Sequence, residues 1–494
     1  MALDLNPPGG TAPKRRLFAA LALIILFSEI ATFEILMVLP AIPHIAADFQ
    51  TTQTAWVVGI LTLSGAAVMP LIGKAADRYG KKRIILLLGG AFIAGSVLCA
   101  LTDSFALLLL GRAVQGVMVG IVGLSYSLVR DIMPRSFVPI ALGTVVTGIG
   151  MSAVAGPFIG GLLIDGTGYR GVFWFMAVYL GLLIPLYALL IPESPVRVDR
   201  PIDYLGTLLL GPAVGVLMIG LSRGSSTGWT SAPAIGFLTA GVLMLAAFLQ
   251  RQRTARHPLI APKVLFGPRF GPTLLAVGCV SYMMNAHSVI VPTMLQTPAG
   301  AAGTGYGAGL TATEFALWTA PLGLVSMCAG PLGGLLAKRI GARQVLIAAA
   351  VAFLATLYLG ARLPAVQWQV GVMSAAAGLA VGCLHSGNAN LVQDALPASL
   401  SGVGNTVGAM NSLLAASMGS TLTGVVMADH VVATDPGTHQ VVHAASAFTD
   451  AYLYAAIVGT AGLAVALLMK HGRRPAQGGL AEPEGTAPAA AVPS

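Results

Sequence analysis

The chain has 494 residues, 56% of them hydrophobic and 9% charged, with a formal net charge of +9. So small a charged share excludes a soluble globular domain, where about a quarter of residues are charged, and leaves a polytopic membrane protein counted in spans of about 20 residues. The positive charge does not point to nucleic acid, because the basic residues sit in short connections between apolar segments, where they act as topology signals.

In chain order, apolar segments run near 17–39, 54–76, 84–102, 105–128, 138–163, 171–191, 205–222, 232–250, 270–294, 314–336, 343–361, 367–390, 402–428 and 449–469. Fourteen spans of this kind predict an all-α fold. The first is not a cleavable signal, since no small-residue cleavage site follows it and Glu29 and Glu34 interrupt it. A carboxylate at such depth costs about 2.5–3.5 kcal/mol on insertion scales and is a functional hypothesis by default. Placing the N-terminus in the cytoplasm puts Lys14, Arg15, Arg16 and most loop cations inside, leaving only Arg170, Arg223 and Arg362 opposite, so both termini are expected to be cytoplasmic. The ends, Met1 to Pro13 and Pro475 to Ser494, read as disordered tails. Cys99, Cys279, Cys328 and Cys383 are scattered through apolar segments with no CxxC spacing and read as packing residues.

Depth relates three of the buried charges. Glu29 lies about 18 Å along the first span and Glu34 about 26 Å, at a rise of about 1.5 Å per residue. Arg112, near the start of the inward-running fourth span, matches Glu34 in depth, so the two can share a cavity. Glu29 is turned roughly 140° from Glu34 and cannot point the same way.

The chain also repeats itself. GKAADRYGKKR from Gly73 is echoed by GLLAKRIGAR from Gly334, and LVRDIMP from Leu128 by LVQDALP from Leu391. Both echoes fall at an offset of about 260 residues, which implies two homologous halves of six spans with a surplus pair between them, a known transporter design. The expected organisation is a tail over 1–16, a six-helix bundle over 17–196, an inserted helix pair over 197–258, a second six-helix bundle over 259–470 and a tail over 471–494.

These residues resemble the major facilitator superfamily, and within it the fourteen-span drug:proton antiporters. GKAADRYGKKR is similar to the signature between spans two and three, with Gly73, Asp77, Arg78, Gly80 and Lys81 in the signature positions; LGRAVQG carries Arg112 of the span-four signature. GIGMSAVAGPFIGG, with Gly148, Ser152, Gly156, Pro157 and Gly160, resembles the span-five signature of exporters, while PIDYLGTLLL, LSRGSSTGW and HPLIAPKVLF resemble the fourteen-span branch. The resemblance implies a latch with Asp77 as acceptor and Arg78 as its partner. In the second copy Lys338 replaces the aspartate, so the C-terminal half is expected to lack an acid-based latch. Gly148, Ser152, Gly156 and Gly160 recur every four residues as a small-residue stripe that admits a close helix, and Pro157 is expected to kink it. The branch usually carries an aspartate where this chain has Ala31; the acids here flank that position.

Glu34 is the better candidate for coupling to Arg112, and Glu29 for a proton carrier or a contact to a cation, although the two assignments are close to interchangeable. The alternative is a structural ion pair between spans one and four. Gln115, Asn285 and Asn411 are candidates for the substrate cavity, whereas His385, Asn388 and Asn390 read as gate or packing residues. His430, His439 and His443 are irregularly spaced loop residues, and no metal site is expected. The uncharged stretch Pro298 to Thr313 reads as a flexible hairpin or plain linker. No GxxxxGK[ST] or HExxH motif occurs, and the GxSxG matches that start at Gly220 and Gly224 fall at the end of an apolar helical segment rather than on a strand-to-helix turn, which argues against an enzyme or an ATP-driven pump.

The expectation is a monomeric secondary transporter of the bacterial cytoplasmic (inner) membrane. It needs no cofactor and exchanges protons for amphipathic small molecules, cationic ones among them. Membrane lipids are its surroundings, nucleic acid is not a partner, and a periplasmic adaptor is a partner only in a Gram-negative cell. A dedicated metabolite or lipid exporter and a non-transporting scaffold are the alternatives.

Overall fold

The computed structural model describes residues 13–51, 55–197, 203–256, 258–259, 261–297, 306–310, 312–362, 367–434 and 441–476. Most of both expected disordered tails, His439 and most of the Pro298 to Thr313 stretch lie outside these residues.

A helix occupies every expected apolar segment. The first is split into α1 (Lys14–Ser28) and α2 (Ile30–Leu36), followed by the short α3 (Ile42–Asp48). The interruption falls at Glu29, where the Ser28 hydroxyl bonds back to the Ile24 carbonyl at 2.8 Å and faces the Ser125 hydroxyl at 2.6 Å. Back-bonding of this kind bends helices. Then come α4 (Ala55–Tyr79), α5 (Lys81–Leu101), and a fourth segment made of α6 (Phe105–Gln115), a 3-10 stretch (Gly116–Gly120) and α7 (Ile121–Ile132). α8 (Val138–Thr167) and α9 (Tyr169–Leu190) complete the first bundle. The inserted pair is α10 (Tyr204–Thr227) and α11 (Ala232–Thr254), with α12 (Pro262–Leu265) as a short turn after it. The second bundle holds α13 (Phe270–Gln296), α14 (Ala312–Ile340), α15 (Ala342–Arg362), α16 (Gln367–Ala395), α17 (Ser401–Ala428) and α18 (Ala445–Leu468).

Among the described residues, twelve helical stretches are long and apolar enough to cross a membrane. The helices α10 and α17 are not among them. For α17 the reason is visible in its residues: Ser401, Asn405, Thr406, Asn411, Ser412 and Ser417 dilute the hydropathy, and the helix packs against α4, α7, α10, α13 and α18 rather than standing in lipid. A two-stranded hairpin, β1 (Val431–Thr434) with β2 (Val441–His443), is absent from the all-helical expectation. Its signal was a pair of β-branched runs flanking Asp435, Pro436 and Gly437.

One apolar core draws its residues from Leu17 to Ile191, with Ala389 added, and a second from Ala276 to Ala476. The halves meet along two helix pairs, α4 with α17 and α8 with α14, which the internal repeat relates to each other. In the first pair Gly73 faces Gly402 and Thr406; in the second Gly334 faces Pro139 and Ile140. Arg130 and Gln393, equivalent residues of the LVRD and LVQD repeats, meet at 3.1 Å. A self-pairing of equivalent positions is what a pseudo-two-fold axis between parallel halves requires.

The α8–α14 seam is built from glycines. A Cβ on Gly330 would stand 2.6 Å from the Gly143 carbonyl oxygen and 2.8 Å from Val146 Cβ; one on Gly150 would stand 2.5 Å from Ser326 Oγ. Gly330→Leu is therefore expected to push the halves apart at an overpacking cost of about 1–3 kcal/mol. Thermal unfolding in detergent should show a lowered midpoint, and an unchanged midpoint would disprove the close approach.

Candidate functional site

Two groups of buried polar residues stand out, one inside the first bundle and one at the basic end of the helices. In the first, Arg112 on α6 is fully buried and every nitrogen of its guanidinium is engaged. Nε donates to the Val57 carbonyl at 2.9 Å, Nη1 to Gln115 Oε1 at 2.7 Å, and Nη2 to the Glu34 backbone carbonyl at 3.4 Å. Gln115 passes the chain on, its amide donating to Ser96 Oγ at 2.7 Å, and Ser96 donates to the Phe92 carbonyl. The Phe173 ring lies 6.0 Å from the guanidinium carbon.

Glu34 is brought to Arg112 as its depth predicts, yet the contact is to its main chain. The Glu34 carboxyl is fully buried, and neither oxygen has a hydrogen-bond partner among the described residues. A buried carboxyl group meets the desolvation cost of its charge either by pairing with a cation or by holding a proton. Here one cation stands close by with its donors already spoken for.

Glu29 faces the other way, onto α8. Ser152 donates to its carboxylate, and its oxygen occupies the space that a Cβ on Gly148 would need. The stripe predicted on the fifth span therefore packs against the first span of its own bundle, with Gly156 against Phe33 and Leu36 and Gly160 against Met37. The helix continues through Pro157. The seam with the other half uses a different set, Gly143 and Gly150 with Gly323, Gly330 and Gly334, which sequence reasoning missed although the seven-residue spacings Gly143–Gly150 and Gly323–Gly330 signal one helix face.

Of the three cavity candidates, Gln115 belongs to this site, and Asn285 and Asn411 are placed apart from it. Gln115 is buried as the support of Arg112. Asn285 bonds the Ser281 carbonyl of its own helix at 3.1 Å, and Asn411 bonds the Leu274 carbonyl across to α13 at 2.8 Å. Asn390 donates to its own helix at Ser386 and reaches the Pro139 carbonyl at 3.4 Å. His430 pairs with Asp450 at 3.2 Å and His443 bonds the Met427 carbonyl at 2.8 Å.

At the basic end, Asp77 ties the two halves together. Its carboxylate accepts from the backbone N–H groups of Gly402 at 3.1 Å and Val403 at 3.2 Å, in the first turn of α17. Those are donors left without intrahelical partners, at the positive end of a helix dipole. The cation paired with Asp77 is Lys81 at 3.4 Å, not Arg78, which stacks over the Tyr79 ring at 5.3 Å. Lys81 also pairs with Asp131 at 2.6 Å, and all three charges are buried. Gly80 makes the turn possible with φ of +109°, and Glu193 caps the following helix through the N–H groups of Lys82 and Arg83. Nearby, the Ser127 and Ser401 hydroxyls lie 2.6 Å apart, and Arg130 donates to the Leu396 carbonyl at 3.0 Å. Asp131 was missed as a site residue because LVRDIMP was informative only as a repeat.

Among the described residues the second half has no counterpart of this latch. Lys338, in the position of Asp77, is exposed, and the helix start it would face carries Pro139, which has no N–H to offer. Arg343, in the position of Lys82, keeps the equivalent role: Lys82 Nζ bonds the Ala188 carbonyl near the end of α9, and Arg343 bonds the Ala466 and Leu467 carbonyls near the end of α18.

Comparison with known proteins agrees with this architecture. Residues 21–420 match the family described as Major Facilitator Superfamily. An uncharacterized MFS-type transporter of Mycobacterium tuberculosis is 30% identical over 70% of this chain and 50% of its own length, so the chain spans about half of that relative. The multidrug export protein EmrB of Haemophilus influenzae is 27% identical over 82% of this chain and 80% of its own. Among solved structures, the human organic anion transporter MFSD10 superposes with a TM-score of 0.60 at 15% identity, covering 93% of this chain and 100% of that one, a likeness of fold alone.

Proposed function

The chain belongs to the major facilitator superfamily, and from that premise we propose that it is a proton-coupled exporter of amphipathic small molecules, cationic ones included. The observation that carries this reading is the Glu34 carboxyl, buried without a hydrogen-bond partner beside the fully engaged Arg112. In this proposal, Glu34 holds a proton while its compartment is dry. Opening to water lets the proton leave, and the carboxylate then turns toward the Arg112 guanidinium. Such an exchange between a proton and a charge pair gives each side of the membrane a different preferred state of the carrier. Glu29 is assigned a secondary role, with Ser152 holding it against α8. Similarity to a multidrug export protein supports export of varied substrates.

The proposal also takes the basic end as cytoplasmic, the membrane as the bacterial inner membrane, and α10 and α17 as spans, which makes fourteen. On that orientation the hydrogen bonds that Asp77 accepts from the second half, together with those joining Ser127 and Arg130 to it, close the cytoplasmic side, and the state proposed is outward-facing. Proteoliposomes carrying an internal pH dye and an imposed proton gradient test the function: lipophilic cations added outside are expected to trigger proton movement in proportion to the protein present. A panel of such compounds that moves no protons through folded, oriented protein would reject the broad exporter and favour a dedicated carrier or a scaffold.

A further inference from the structure

The inserted pair leaves a partly open cavity of about 230 Å³ between itself and the second bundle. Val214 of α10, Phe248 of α11, Phe266 at the end of α12, Leu274 in the second turn of α13, and Met410 and Asn411 of α17 are among its lining residues. Phe248, Phe266 and Leu274 lie close to the connection 255–269, whereas Val214, Met410 and Asn411 lie about three turns inside α10 and α17, so the cavity runs from the basic end toward the middle of the helices.

That connection and the last turn of α11 before it carry Arg253, Arg256, Lys263 and Arg269; the connection holds no acid, and among the described residues none of the four forms an ion pair. Arg253, Arg256 and Lys263 are exposed. Arg251 beside them does pair, with Asp203 at 3.4 Å, but that carboxylate is also taken by Gln252 at 2.9 Å and the Gly206 N–H at 3.1 Å. Inside the cavity the single polar lining side chain, Asn411, donates its amide to the Leu274 carbonyl.

We infer that this cavity and its basic rim form a binding site for an acidic phospholipid, an acyl chain lying among Val214, Phe248, Phe266 and Met410 and the phosphate headgroup resting on Arg253, Arg256 and Lys263. The chemistry separates this occupant from the others. A cationic cargo finds no free carboxylate there and meets a positive rim. A zwitterionic lipid fits the apolar part but gains nothing from three unpaired cations, each of which contributes to holding an anionic headgroup at a membrane surface. The site goes beyond the transport reading, since it lies outside the first bundle that holds Glu34 and Arg112.

The test is native mass spectrometry of the delipidated full-length protein titrated with phosphatidylglycerol or with phosphatidylcholine of the same acyl chains. Two variants join the wild type: Arg253→Gln with Arg256→Gln and Lys263→Gln, on the exposed rim, and Val214→Phe with Leu274→Phe, which fills the cavity. Wild type is expected to retain phosphatidylglycerol in preference, with the rim variant weakened about 100-fold toward it and unchanged toward phosphatidylcholine. The filled variant is expected to lose the preferential site. Equal retention of both lipids by wild type, or undiminished phosphatidylglycerol binding by the correctly folded rim variant, overturns the site. So does saturable binding of a lipophilic cation that the filled variant abolishes and phosphatidylglycerol does not compete away, because the cavity would then belong to cargo.

Discussion

Glu34→Gln is expected to reduce substrate-triggered proton movement to the level of protein-free vesicles while leaving folding intact. The substitution keeps the shape of a side chain that is 0% exposed, and it removes no hydrogen bond, because neither carboxyl oxygen has a partner among the described residues. What it removes is the exchangeable proton. Glu29→Gln serves as the contrast: Ser152 donates to the Glu29 side chain, and an amide oxygen can still accept that bond. Coupled flux should therefore be impaired in that variant but measurable. The decisive comparison is flux in both variants at matched protein density, with binding of a fluorescent lipophilic cation as a check on the substrate site. Loss in Glu29→Gln together with full coupling in Glu34→Gln would exchange the roles of the two acids.

Asp77→Ala is expected to open the basic end. The change removes two hydrogen bonds from a carboxylate to backbone donors of α17 and strips Lys81, which is 0% exposed, of one of its two counter-charges. Hydrogen bonds to charged groups and broken buried pairs are each worth a few kcal/mol. A loss of about 3 kcal/mol would shift the balance between closed and open states about 100-fold. The adjacent hydroxyls of Ser127 and Ser401 offer the readout. With the four native cysteines replaced by alanine, Ser127→Cys and Ser401→Cys should form a disulfide readily in the closed state, at least tenfold more slowly once Asp77 is alanine. Lys338→Ala, at the exposed equivalent position, should leave that rate unchanged. An undiminished rate in Asp77→Ala would show that the seam of glycines, rather than the carboxylate, holds the two halves closed.

The asymmetry between these positions was half legible in the chain. The replacement of Asp77 by Lys338 announces that one latch lacks its acid. Only the packing shows that the partner surface has changed with it, since Pro139 stands where a donor would be needed. Similarly, the match in depth between Glu34 and Arg112 follows from helix geometry, whereas two of the three guanidinium nitrogens are directed by neighbours far away in sequence, Val57 on α4 and the Glu34 main chain, and only the third by a local partner, Gln115. The partner of Asp77 shows the same limit. Arg78 is its neighbour in the motif, but consecutive helical residues point about 100° apart, and Lys81, across the Gly80 turn, is the one the fold buries against it.

By itself the sequence determined the membrane class, the fourteen apolar segments, the repeat that relates two halves, and the short set of ionisable residues inside them. Those features are local or periodic: hydropathy, helix rise and motif spacing can be read without knowing what lies opposite. The tertiary structure decided which carboxyl is tied and which is left without a partner, which glycine face seals the halves, that Asp77 ties the two halves together at the basic end, and that the inserted pair leaves an apolar cavity against the second bundle. Each of these depends on helices separated by tens to hundreds of residues coming within van der Waals contact, where burial changes what a charge costs and a single absent Cβ or N–H changes what can meet.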